Sequence, residues 1–320
     1  MGFDFKDANF WMEQFKNGLT VGSIYALIAL GYTMVYGILQ MINFAHGEIY
    51  MIGSFAGWGI LNAFGGEEMA TALIVPAIIV AMIGGAIASA GASAVVERVA
   101  YRPLRRAHRL APLISAIGVS IFLQYLVVWL TDARDRLYPN IFPKGTDAAF
   151  SIGFTDIQYI QLFLVGGSVI MMLGLYTFIK RSRTGKSIRA VAEDKDVATL
   201  MGIDVNRAIV ITFMVGALMA GVAGVMWGLW NRSISGTMGF IPGIKAFTSA
   251  VLGGIGNVPG AMAGGYMLGL SETIGRESLN ILPGVQLGNE WRDVVAFVVL
   301  IIVLLVRPTG IFGEVVGKRA

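Results

Sequence analysis

The chain has no cysteine, so it offers no disulfide, no thiolate nucleophile and no cysteine-ligated metal. Histidine is nearly as scarce, with His46 and His108 the only two. There is no H-E-x-x-H metal motif, no G-x-S-x-G nucleophile elbow and no pair of carboxylates within one apolar run. Enzyme chemistry therefore has little to rest on, and His108, inside a basic stretch, reads as a solvated loop residue. Charge is thin as well: 14% of the residues are charged, where a soluble domain carries about 25%. The first residues, 1–17, mix Asp4, Asp7 and Glu13 with Lys6 and Lys16. They lack the basic start and small-residue cleavage site of a signal peptide, so the first apolar run is expected to stay as a span.

What the chain does have is apolar sequence in runs: hydrophobic residues make up 56% and mean hydropathy is +0.71. Runs long enough to cross about 30 Å of hydrocarbon fall at 18–40, 43–62, 71–96, 111–131, 157–179, 207–230 and 291–306, with a glycine-broken pair at 244–256 and 258–275. The expected fold is all-α, a polytopic transmembrane bundle of roughly eight or nine spans forming a single domain over residues 1–320. The formal charge of +4 does not point to nucleic acid, because the bases sit in short clusters beside apolar runs. Those clusters set sidedness. Residues 97–109 hold Arg98, Arg102, Arg105, Arg106 and Arg109, residues 180–207 hold Lys180, Arg181, Arg183, Lys186, Arg189, Lys195 and Arg207, and the tail adds Arg307, Lys318 and Arg319. Residues 132–156 are mixed, with Asp132, Asp135, Asp147 and Asp156 against Arg134, Arg136 and Lys144. An outside N-terminus and a cytoplasmic C-terminus fit that distribution, and favour nine crossings over eight.

Three features invite functional readings. The first is Asn43-Phe44-Ala45-His46-Gly47-Glu48, preceded by Gln40, which sets titratable groups between two apolar runs near the cytoplasmic face. Such groups are costly at membrane depth. Helical spacing places Asn43 and His46 on one face with Glu48 rotated away. The pattern suits a polar patch at a gate, a proton relay, or interfacial anchoring. Glu272, within 258–275, is the other intramembrane carboxylate, and no convergent pair of charges for a substrate ammonium and carboxylate is legible. The second feature contains Gly253, Gly254, Gly256 and Gly260 with Pro259. It matches neither phosphate-loop fingerprint and reads either as a broken helix lining a pathway or as a tight helix–helix turn. The third is the polar, helix-prone stretch 187–204, which ends at Gly202; its Ile188, Val191, Ala198, Leu200 and Met201 are suited to lie in a partner's groove, or to form a self-contained surface helix. Small residues spaced by four, as in Gly18, Gly22 and Ala26 or Gly216, Ala220, Gly224 and Gly228, indicate close helix packing.

Several motifs together resemble the LivH-type permeases of branched-chain amino acid ABC importers: residues 17–27, Met41 to Glu48, Arg189 to Asp194, Leu200 to Ile203, Gly253 to Asn257, and Arg307 to Gly313. The resemblance covers nearly the whole chain. It implies a bacterial inner-membrane, multi-pass permease that pairs with a similar second permease, docks two cytoplasmic ATPase subunits and receives leucine, isoleucine or valine from a periplasmic binding protein. It implies that the chain binds no cofactor, ATP and Mg²⁺ being held by the ATPases. It implies too that 187–204 is the coupling segment, with Arg189, Ala192, Glu193, Asp194, Ala198 and Gly202 at the contact. The loop motif departs from the family pattern, since Asp194-Lys195 stands where two alanines follow the glutamate. Related systems move urea and short amides. A different class, an ion-coupled carrier relaying protons through His46, Glu48 and Glu272, is the competing expectation.

Overall fold

The computed structural model describes residues 8–105, 107–108, 110–141, 148–152, 155–281 and 286–313. Asp4, Lys6, Asp7, Arg106, Arg109, Lys144, Asp147, Lys318 and Arg319, which the charge argument used, lie outside the described residues. In chain order the helices are α1 (Ala8–Leu39), α2 (His46–Ala63), α3 (Ile74–Val96), α4 (Leu110–Leu130), α5 (Tyr159–Arg181), α6 (Arg183–Glu193), α7 (Lys195–Leu200), α8 (Val205–Asn231), α9 (Phe240–Gly253), α10 (Val258–Leu279) and α11 (Trp291–Val306). Each apolar run forms a helix, and the polar stretch 187–204 spans two short ones. Five helix segments, carrying α1, α3, α4, α5 and α8, are long and apolar enough to cross a membrane among the described residues.

The bundle is built around α1. This helix is apolar on all sides, and from Ser23 to Val35 every residue is buried. Its Gly18, Gly22 and Ala26 edge faces α10: a methyl placed on Gly269 would lie 2.5 Å from both Gly18 O and Gly22 Cα. The predicted small-residue stripes are thus contact seams, one on α1 against α10 and one on α8, where Gly216 meets Gly31 of α1. The outer helices show the opposite pattern. Phe122, Tyr125 and Trp129 on α4, Ile170 on α5 and Leu305 on α11 are all more than 60% exposed, which a soluble fold does not tolerate as a continuous surface.

One end of the bundle collects the basic loops. After α3 a π-helical turn, Glu97–Tyr101, and a 3-10 turn, Arg102–Leu104, lead to Arg105. Arg105 pairs with buried Glu97 and donates to Asn206 Oδ1 at 2.6 Å. This ties the 97–105 loop to the base of α8 beside α6 and α7, so the two predicted cytoplasmic loops share one side. The opposite end carries short strands: β1 (Arg136–Leu137), β2 (Ala148–Ile152), β3 (Thr155–Gln158) and β4 (Ser233–Ile234), with β1 antiparallel to β4 and β2 antiparallel to β3. Lys16 of α1 donates to Asp156 O at 2.7 Å there.

Two boundaries differ from the sequence expectation. The run at 43–62 does not start helical at Asn43. Gln40 adopts φ of 52°, α1 ends, and the helix resumes only at His46, whose N–H reaches Asn43 O at 3.0 Å. The run at 244–256 starts earlier, at Phe240, and stops at Gly253 because Gly254 takes φ of 101°, a left-handed conformation that glycine adopts without penalty. With 14 residues α9 is about 21 Å long, short of a full crossing. The non-helical stretch 232–239 precedes it: β4 lies at the strand-bearing end, and Gly239 packs on Gly47 and Gly243 near the start of α2.

Candidate functional site

The starts of α2 and α9 meet inside the bundle. His46, the first residue of α2, sits against Gly31, which lies eight residues before the α1 terminus and therefore roughly 12 Å within the helix. A methyl on Gly239 would lie 2.5 Å from both Gly47 O and Glu48 Oε2, so the first turns of the two helices touch only because these positions lack side chains. The N-terminal end of a helix favours negative charge, and a carboxylate, Glu48, is the group placed there.

The polar residues of 40–48 go to separate partners. Asn43, 3% exposed, accepts from Tyr101 O–H at 2.7 Å, which joins this turn to the π-helical turn after α3. His46, 1% exposed, meets the Tyr32 ring edge-on with centroids 4.8 Å apart. Glu48 is wholly buried and turned to α4, where its Oε1 accepts from Gln124 Nε2 at 2.7 Å and Ser120 Oγ at 3.1 Å. Glu48 is rotated away from His46 as the spacing predicted. Asn43 does not share a helix face with His46, because Asn43 precedes the helix and turns toward Tyr101. Gln40 is exposed at the end of α1.

Glu272 belongs to a different cluster. Lys245 of α9 approaches Glu272 Oε1 at 3.1 Å and Asp293 Oδ1 of α11 at 2.5 Å, and Tyr25 O–H donates to Glu272 Oε2 at 3.2 Å. Four helices are joined by one buried ammonium. No hydrogen bond or ion pair connects His46, Glu48 and Glu272 to one another among the described residues, so the contiguous relay that an ion-coupled carrier would use is not built.

The glycine break is a turn between α9 and α10 at the basic end. Asn257 caps α10 by accepting from Gly260 N at 3.0 Å and donates to Phe312 O at 3.1 Å. The chain after α11 lies over the turn, with Ile311 N donating to Leu252 O at 2.9 Å and Phe312 N to Gly253 O at 3.2 Å. Two motifs read separately in the sequence, Gly253 to Asn257 and Arg307 to Gly313, are one structural unit. On its outer side the turn borders a cavity of about 610 Å³ that is also lined by Lys180 and Arg189.

The 187–204 stretch is not one helix. Asp194 ends α6 and caps α7, its Oδ1 accepting from Asp196 N at 2.9 Å and Val197 N at 3.0 Å. Gly202, with φ of 79°, closes α7, and Asp204 caps α8 by accepting from Arg207 N. Ile188, Val191 and Ala198 do not offer themselves to a partner: each is at most 4% exposed and packs on this chain's own bundle. The outward apolar surface is instead Val197, Leu200 and Met201, at 53%, 86% and 77% exposure. Arg189, Glu193, Asp194 and Gly202 are exposed and Ala192 is half-buried.

Residues 14–304 match the family model described as the permease component of a branched-chain amino acid transport system. The chain belongs to this family. It is 47% identical over 306 residues to the high-affinity branched-chain amino acid transport system permease protein BraD of Pseudomonas aeruginosa, covering 95% of this chain and 96% of that one. It is 46% identical over 309 residues, with the same coverage, to the permease LivH of Escherichia coli K12. A probable branched-chain amino acid permease of Methanocaldococcus jannaschii is 26% identical over 303 residues, covering 93% of this chain and 91% of that relative. The family is one of transport permeases rather than enzymes, and with the apolar helices it makes this a multi-pass membrane protein.

Sequence reasoning missed several residues of these clusters. Ser120, Gln124, Tyr101, Lys245 and Asp293 supply the partners of the residues it singled out. Lys245 alone carried a signal: it is a lysine inside an apolar run, and buried cations need a counter-charge. Ser120 and Gln124, four apart on α4, are unremarkable in the sequence.

Proposed function

We propose that this chain is the permease subunit of an ATP-driven importer for leucine, isoleucine and valine in the bacterial inner membrane. The observation that carries this is 47% identity across 95% of the chain to a high-affinity branched-chain amino acid permease. In this reading a second permease completes the pathway, two ATPases bearing ATP and Mg²⁺ dock at α6–α7, and a periplasmic binding protein delivers the amino acid. The chain itself holds no nucleotide. ATP binding to the partners shifts the balance between two access states of the permease pair.

Docking uses Val197, Leu200 and Met201 as the apolar contact, ringed by Arg189, Ala192, Glu193, Asp194 and Gly202. Ala198 acts from within, fixing α7 to the bundle. Asn43, His46 and Glu48 form a gate region where α2 and α9 begin, with Gln40 at its edge and Asn43 hydrogen-bonded to the loop that Arg105 ties to α8. The turn at Gly253, Gly254, Gly256 and Gly260 is a rigid brace at the cytoplasmic end, held by residues 311–312. The N-terminus lies outside and the C-terminus inside, with nine crossings counting 232–253 as one. The grouping of Arg105, Asn206, Lys180 and Arg189 at one end supports that polarity.

Uptake of labelled leucine into vesicles holding the permease pair, ATPases and binding protein tests the reading. ATP-dependent accumulation is expected. Transport by this chain alone, abolished by collapsing the proton gradient, would overturn it.

A further inference from the structure

Between α4 and the starts of α2 and α9 lies a cavity of about 520 Å³, within the size range of small-molecule sites. Its walls are mostly apolar, formed by Phe44, Ile117, Ile121, Phe240 and Ile244 with Tyr125 beside them, and it opens on the outer face of α4, where Ile117, Ile121 and Tyr125 are 44%, 50% and 69% exposed. One corner is polar. Ser120 and Gln124, one helical turn apart on α4, line it and both donate to Glu48 Oε1 behind them.

A carboxyl group stands behind that corner. Glu48 is 0% exposed, its Oε2 has no hydrogen-bond partner, and no cationic side chain pairs with it among the described residues. A carboxylate buried without a cation is costly. The amide of Gln124 gives its N–H to this carboxylate, and its oxygen accepts no hydrogen bond among the described residues. A donor bonded to a carboxyl oxygen is polarised, and the polarisation strengthens the opposite end of the amide as an acceptor. No lysine, arginine, aspartate or glutamate lines the cavity itself. A ligand carboxylate therefore meets no cationic side chain there, only hydroxyl donors such as Tyr125, while a ligand ammonium meets the Gln124 oxygen with the Glu48 carboxyl behind it.

We propose that this cavity is a half-site on the transport path for the ammonium group and branched aliphatic side chain of an amino acid, with Gln124 contacting the ammonium and Glu48 positioning and polarising Gln124. The inference rests on the permease reading and adds the ligand groups that the gate region recognises. It assigns the apolar wall to the side chain and leaves the substrate carboxylate outside the half-site.

Because this chain has no cysteine, Ile121→Cys gives it one reporter, and labelling of this chain is read after its separation from the other subunits of the whole complex in vesicles. Maleimide labelling is followed with leucine, isoamylamine, which lacks the carboxylate, or isocaproate, which lacks the ammonium. Leucine and isoamylamine are expected to slow labelling and isocaproate is not; adding Glu48→Gln should raise the isoamylamine concentration needed by about tenfold, with Glu48→Asp between. Co-purification with the ATPases checks assembly, and Gln124→Leu gives a second route to the same loss if Glu48→Gln fails to assemble. Equal protection by isocaproate, protection independent of Glu48 and Gln124, or no protection at all would overturn the half-site. Leucine uptake by the unsubstituted complex is measured in parallel: uptake without Glu48-dependent protection removes the half-site and keeps the permease reading, and protection without uptake does the reverse.

Discussion

Lys245 shows how a charge is kept inside an apolar bundle. Its ammonium has two carboxylates, Glu272 and Asp293, and a tyrosine hydroxyl within hydrogen-bonding reach, so its donors are met and its charge offset. Removing the cation while keeping the anions is the damaging change. Lys245→Met should lower stability by about 3 kcal/mol or more, seen as a fall in melting temperature of the detergent-solubilised complex, and adding Glu272→Gln should recover part of it. If the single substitution leaves the melting temperature unmoved, the cluster does not brace the four helices. Tyr101 is a second such position. Tyr101→Phe leaves Asn43 Oδ1 buried without its donor, an expected loss of about 1–3 kcal/mol by the same measurement. Glu48 and Glu272 were visible in the sequence as costly intramembrane groups, because cost follows from residue type and depth. Their partners were not, because Gln124 is 76 residues from Glu48 and Lys245 is 27 from Glu272 on the neighbouring helix, both beyond the reach of a local pattern.

Among elements, α7 and the α9–α10 turn separate what local sequence specifies from what packing adds. The capping residues Asp194, Asn257 and Asp204 and the stop at Gly202 are local signals, and each does in the structure what its chemistry prescribes. Which face of α7 points outward is not local. Its apolar residues could serve a partner or the chain's own core, and the bundle takes Ala198 while leaving Leu200 and Met201 in solvent. The double substitution Leu200→Asp with Met201→Asp should therefore change stability by no more than about 0.5 kcal/mol yet abolish co-purification of the ATPases. Retained ATPase binding would move the docking surface elsewhere. Asn257→Ala removes both the cap on Gly260 and the bond to Phe312; a loss of about 1–2 kcal/mol, at the upper end of what a cap alone contributes, is expected and is read as a lower melting temperature.

For the whole molecule, sidedness and path are the testable properties. A single cysteine at position 134, beside β1, should react with a membrane-impermeant maleimide from outside intact cells, and one at position 195, at the start of α7, only after the membrane is opened. Labelling of both from the same side would contradict the orientation drawn from the basic loops. The sequence by itself determined the class, a multi-pass helical membrane protein, and where its apolar helices lie, because apolar run length and helix caps act over one element at a time. Tertiary structure decided what those elements do to one another. It split 187–204 at Asp194, started α2 and α9 inside the bundle, joined Gly253–Asn257 to residues 311–312, and set Ser120 and Gln124 against Glu48. Those outcomes turn on which buried polar group finds which partner across the bundle, a pairing between distant segments that no local pattern encodes.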